Sequence, residues 1–142
     1  LIGFKSFDPF ETINDVLTML EVKAQFSGEK TKPRLQDAIN DSTKDELRKA
    51  ESLNAIKQRL FDKGKFEEVK KVSRFQNPVD KPYKEQCGAA ALFCDKNFDN
   101  QIITQATTID HPNNSNLFLV VIKGADLMDI VHHLYNIAAD EA

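Results

Sequence analysis

The spacing of apolar positions changes along the chain, and the changes mark its elements. Residues 1–7 alternate loosely and predict a short strand. Asp8-Pro9 stops it, because proline has no ladder donor and restricts the residue before it. Residues 16–26 predict a second strand. Val16, Thr18, Leu20 and Val22 share one face of it; Leu17, Met19, Glu21, Lys23 and Gln25 share the other. The pair is a candidate hairpin, although its connection lacks an Asn-Gly or Asp-Gly turn. From Pro33, suited to a first helical turn, the spacing becomes helical, with Leu35, Ala38 and Ile39 as an apolar stripe. A longer helix is expected from Ser42 or Thr43, where Thr43 and Glu46 have capping-box spacing. Leu47, Ala50, Leu53, Ile56 and Leu60 line its apolar face, and Lys63-Gly64 ends it. Phe66, Val69 and Val72 continue a weaker helical pattern.

Pro78 and Pro82 make residues 76–84 a crossover loop. Residues 87–94 are short and apolar and predict a buried strand; 98–108 fit a strand or a loop; 111–114 form a turn cluster. Residues 116–122 are apolar on both faces, as in a central strand covered on both sides. A final helix over 125–139 is expected to turn Leu127, Ile130, Val131, Leu134 and Ile137 inward. This order predicts an α/β fold with one mixed central sheet flanked by helices. The expected core is Val16, Leu20, Val22, Leu47, Leu53, Ile56, Leu60, Ala90, Leu92, Leu119, Val121, Ile130, Val131 and Leu134.

Length and composition narrow the class. A chain of 142 residues is expected to be one domain, 1–142, burying roughly 70% of its unfolded surface. It opens with Leu1 and not Met, so it is expected to be processed, tagged or a fragment. With 41% hydrophobic and 29% charged residues it is no disordered tail. Its longest apolar run, 117–122, is far short of the ~20 residues of a membrane span. Cys87 and Cys94 lack C-x-x-C or metal-ligand spacing, which excludes a disulfide framework and points to reduced thiols in the cytoplasm. The net charge of -3 gives no uniform basic field. Its distribution is uneven: residues 1–56 carry -2, residues 57–74 carry +4 and residues 75–142 carry -5. The basic island, with Lys57, Arg59, Lys70 and Lys71, is a solvated helix face or a surface that tracks phosphates.

Glu21-Val22-Lys23 carries the sharpest chemistry. Residues two apart on a strand share a face, so both charged groups project together. A carboxylate is a hard oxygen ligand for Mg²⁺, and an adjacent lysine can hold or deprotonate the water that attacks a phosphodiester. The Val22 carbonyl is a further candidate ligand. A second acid is required; Asp8, where the first strand ends, fits best, with Asp15 as the alternative. Asp/Glu-x-Lys alone is unspecific: Glu68/Lys70 matches too, but sits on an expected helix where the side chains diverge. No Gly-rich phosphate loop or His-Glu-x-x-His occurs. His111, His132 and His133 read as surface histidines, and Cys94 as a buried structural thiol.

The order strand, Asp8, strand, Glu21-Val22-Lys23, helix, crossover strand resembles the PD-(D/E)XK nuclease superfamily. Gln25 adds to the likeness, as a polar residue on the same face after the lysine. Within that superfamily the chain is most similar to the HamA family, the effector nucleases of the Hachiman anti-phage system. The likeness lies in LEVKAQF with LQDAINDS, in CGAAALFC, and in NLFLVVIKGADLMDIVHHLYNIA. In two respects it departs: proline follows the acid instead of preceding it, and the usual upstream helix with its glutamate is absent. The resemblance implies a restriction-endonuclease-like core and a Mg²⁺-dependent nuclease acting on DNA. Asp8 and Glu21 would ligate metal, Lys23 would act on water and phosphate charge, and Gln25 would position phosphate or lysine. A helicase-like partner would restrain the enzyme. With two carboxylates beside it, Lys23 is expected to stay protonated. The competing expectation is a non-catalytic α/β interaction or regulatory domain, with Glu21 and Lys23 as an exposed ion pair.

Overall fold

The computed structural model describes residues 1–5, 12–79 and 82–140. Strands β1 (Ile2–Lys5), β2 (Val16–Gln25), β3 (Lys84–Cys94) and β4 (Leu117–Gly124) lie side by side in that order. β1 and β2 are antiparallel; β2, β3 and β4 are parallel. Helices α1 (Arg34–Ser42), α2 (Asp45–Asp62) and α3 (Phe66–Arg74) form the crossover from β2 to β3. A short α4 (Asn100–Thr104) precedes β4, and α5 (Leu127–Asp140) follows it. The fold is thus α/β, a mixed four-stranded sheet flanked by helices, consistent with a restriction-endonuclease-like core.

A long crossover between parallel neighbours lays its helices on one sheet face, and that face holds the core. Glu21, Lys23 and Gln25 stand opposite Ala89, Ala91 and Phe93 in register. Leu35, Ala38 and Ile39 of α1 pack on those three β3 residues. Toward the start of β2, Leu17 is buried against Leu53 of α2 and against Val72 and Phe75 at the end of α3. Small residues on β3 make the close packing possible. Ala89 and Ala91 admit α1 on one face, and on the other a Cβ at Gly88 would overlap the Phe118 ring.

This corrects the expected core. On β2 the buried apolar residues are Leu17 and Met19, whereas Val22 on the opposite face is 37% exposed. Both faces are apolar in sequence, so alternation fixes the phase of the strand but not the side that the helices cover. β4 is an edge strand, not a central one, and Leu119 is 43% exposed. α5 touches β3 but leaves Ile130, Leu134 and Ile137 exposed. The capping box also fails: Thr43 Oγ1 donates to the Asn40 carbonyl, 2.8 Å, and Lys44 occupies the cap. The Lys63-Gly64 stop does form, with Gly64 at φ +69°. The region ambiguous between strand and loop contains α4, whose first turn is capped by Asp99 accepting from the Gln101 N–H at 2.8 Å.

Candidate functional site

The second half of β2 directs Glu21 and Lys23 to the helix-covered face, beyond the apolar stretch ending at Met19. Because the stripe of α1 seats on Ala89 and Ala91, its last turn lies over this end of the sheet and delivers Asp41. The Lys23 ammonium is 2.8 Å from Glu21 Oε1 and 2.6 Å from Asp41 Oδ2. Lys44 closes on the other Asp41 oxygen at 2.7 Å. Hydrogen bonds from Lys23 and then Lys44 pull the Asp41 carboxyl down to about 2. Asp41 and then Glu21 push Lys23 well above the ordinary lysine value, so it is cationic at neutral pH.

An open depression of about 270 Å³ adjoins this cluster, lined by Lys23, Arg34, Asp37, Asn40 and Asp41. Arg34 Nη1 reaches Asp37 Oδ2 at 3.2 Å, while its buried Nε has no hydrogen-bond partner. The guanidinium lines the same depression as Lys23, and guanidinium N–H groups are donors of the kind phosphate oxygens accept.

Two contacts hold α1 in place. Gln36 makes a two-bond clasp with the Thr107 backbone, at 2.8 and 3.2 Å. Ser42 Oγ donates to the Ile39 carbonyl, 2.8 Å, and lies 3.0 Å from His111 Nε2. The Asn113 N–H donates to His111 Nδ1 at 3.0 Å, which assigns the ring proton of neutral His111 to Nε2, donating to Ser42. His111 is therefore a buried clamp and not a surface residue, and Ser42 has no base to activate it. His132 and His133 are exposed and Cys94 is buried, as their sequence contexts predict.

Gln25 is 4% exposed and spends its amide on the strand-to-helix connection. Its Nε2 donates to the Ser27 and Lys30 carbonyls at 3.2 and 2.7 Å, and its Oε1 accepts from the Lys32 N–H at 2.8 Å. Asp8 lies outside the described residues. The described end of β1, Lys5, stands opposite Val16. Asp15 is not at the site. It is fully buried at the start of β2, 2.9 Å from an Arg74 nitrogen, and six residues of strand, roughly 20 Å, separate it from Glu21.

Lys57 and Arg59 are on α2, and Lys70 and Lys71 on α3. Lys57 bonds Gln76 Oε1 at 2.7 Å and Lys70 pairs with Glu67 at 2.7 Å. Lys57 is twelve residues along α2 from Asp45, a rise of ~18 Å, so the basic island and the Lys23 cluster are separate regions.

Sequence reasoning missed Asp41 and Arg34. The signal was present as Arg34, Asp37 and Asp41 at helical spacing beside the apolar stripe. Among the described residues, no three His, Cys, Asp or Glu side chains gather as a metal cluster. Glu21 and Asp41 are nonetheless hard oxygen donors converging on one ammonium, a cation in the place another cation could take. Mg²⁺ is commonly held by one or two carboxylates, with water and substrate phosphate completing its shell, so this donor set fits it. No helix among the described residues is long and apolar enough to cross a membrane.

No curated protein and no solved structure matches the chain. The family model for HamA matches residues 1–138. A match over nearly the whole sequence, on a mixed sheet that carries Glu21 and Lys23 beside α1, places the chain in the HamA family of Hachiman anti-phage defence proteins.

Proposed function

We propose that this chain is a Mg²⁺-dependent nuclease domain that hydrolyses DNA phosphodiesters, with Glu21, Lys23 and Asp41 at its centre. The observation that carries the reading is the convergence of Glu21 and Asp41 on the Lys23 ammonium at the rim of an open polar depression. Glu21 and Asp41 are the carboxylates that would hold the metal. Bound there, Mg²⁺ would polarise a phosphoryl oxygen and make bound water more acidic. Lys23 is cationic beside both carboxylates, so its role is to stabilise the charge developing on the phosphate and not to remove a proton. Arg34, on the wall of the same depression, would anchor a neighbouring phosphate. Gln25 would act through the connection it fixes, which sets where α1 begins. Asp8 remains a proposed metal ligand. Lys57, Arg59, Lys70 and Lys71 would hold the nucleic-acid backbone without reading sequence. Control by a helicase-like partner belongs to the same proposal and rests on the family alone.

The test is plasmid degradation with and without Mg²⁺, comparing the chain with Glu21→Gln, which keeps shape and removes charge. Metal-dependent loss of plasmid that Glu21→Gln abolishes supports the reading. Equal degradation by both would leave Glu21 and Lys23 as a surface ion pair in a non-catalytic domain.

A further inference from the structure

The tip of the α2–α3 hairpin presents two aromatic rings that the core does not use. Gly64, at φ +69°, reverses the chain after α2, with the Lys65 N–H donating to the Leu60 carbonyl at 2.9 Å. The reversal brings Phe61, near the end of α2, against Phe66, the first residue of α3. Their rings meet edge to face, 5.5 Å between centroids and 76° between planes. Both stay more than half exposed, at 56% and 55%. Arg59, Lys63, Lys65 and Lys71 belong to the same hairpin and are exposed, as are the acids Asp62, Glu67 and Glu68. The acids leave the hairpin a positive balance: residues 57–74 carry +4, the one net-positive segment of the three in an acidic chain.

Exposed rings cost hydration free energy, and clustered like charges repel one another. A ligand that relieves both must offer flat apolar faces and regularly spaced anions. An unpaired nucleic-acid strand does so, stacking bases on aromatic rings and laying phosphates against lysine and arginine. We propose that the α2–α3 tip is a docking element for single-stranded DNA, with Phe61 and Phe66 as its stacking platform and Arg59, Lys63, Lys65 and Lys71 as its phosphate contacts. It rests on the nuclease reading only for its purpose. α2 connects the tip to the site: its first residue follows Lys44, which pairs with Asp41, and Phe61 lies sixteen residues, ~24 Å, further along the helix axis. A strand held at the tip is thus held at a fixed distance from the site.

Binding is measured in the Glu21→Gln background without metal, so that failure of cleavage and failure of docking stay distinct. The probe is a fluorescein-labelled twenty-nucleotide oligo(dT), read by anisotropy at several salt concentrations. Replacing both phenylalanines by alanine should weaken binding about tenfold or more, while leaving the salt slope intact. Leucine at both positions keeps apolar bulk and should not restore affinity. Arg59→Gln with Lys63→Gln, Lys65→Gln and Lys71→Gln should flatten the log–log salt slope by about 3. A thermal melt of each variant confirms that it is folded. The proposal is overturned if the parent does not bind the oligonucleotide at low salt. It is equally overturned if leucine restores binding, or if phosphatidylserine vesicles capture the protein through these residues while the oligonucleotide does not.

Discussion

A carboxylate meets a cation near each end of strand β2, and the two arrangements differ in burial. At the start, Asp15 is fully buried and Arg74 nearly so, joined at 2.9 Å beneath α3. Near the end, Lys23, Glu21 and Asp41 keep 28%, 22% and 35% of their side chains exposed beside an open depression. A charge pair removed from water must be matched within the protein, and losing one partner leaves the other stranded. A charge cluster at a rim can exchange its partners for a metal, water or phosphate at low cost. The first arrangement fixes a helix end; the second is available for chemistry. The sequence favours Asp8 and keeps Asp15 as the alternative, and burial is what removes Asp15 from the site.

The contrast breaks most visibly in stability. Asp15→Ala is expected to destabilise the chain by about 3–5 kcal/mol in urea unfolding, because it removes a fully buried carboxylate from beside a nearly buried guanidinium. Glu21→Gln should change the unfolding free energy by no more than about 1 kcal/mol, as partly exposed pairs contribute little. Comparable losses from both would erase the distinction. In plasmid cleavage the order reverses. Lys23→Met should abolish metal-dependent activity, whereas Lys23→Arg keeps the charge and should retain a detectable fraction of it. Near-normal cleavage by Lys23→Met would remove the lysine from the chemistry. Asp41→Asn should also lower cleavage, by about 10²-fold, since it loosens the lysine and removes an oxygen ligand. The smallest effect is a titration. Asp41 sits at about 2 because Lys23 and Lys44 bond its charged form. A depressed carboxyl contributes stability above its unfolded value near 4 and loses it as pH falls through about 2. The carbon-13 carboxyl resonance of Asp41 in the metal-free chain should therefore move near pH 2, and Lys23→Met should shift that midpoint upward. A midpoint near 4 in the unmodified chain would mean that the ion pairs do not persist in solution.

Local signals were legible where they are self-contained. The first apolar stripe predicts α1, the alternation of residues 16–26 predicts β2, and Lys63-Gly64 predicts the stop of α2. The covered face of β2 was not legible. Leu20 and Val22 are as apolar as Leu17 and Met19, and the choice is made by the path of the crossover helices, a tertiary matter. β4 was misread for a related reason: an apolar strand beside α5 has the composition of a central strand while standing at the sheet edge. At the site, Glu21 and Lys23 were found because two-residue spacing on one strand is local. Asp41 comes from another element, and only the seating of α1 reveals it. His111 was misread because its burial depends on Ser42, 69 residues away.

The alanines of β3 give the sheet a mechanical tolerance. Ala89 and Ala91 set the height at which α1 rides, and the height of α1 sets the reach between Asp41 and Lys23. Larger residues at these two positions would act as shims, lifting the helix while leaving the sheet intact. On the proposed nuclease reading, an ångström of lift matters little to the helix and a great deal to groups that must align for reaction, for which such a displacement can cost about 10²-fold in rate. Packing at the bottom of the helix layer and alignment at its rim are therefore one dimension of the molecule. Changes in Ala89 or Ala91 should first appear as lost alignment, well before the fold gives way.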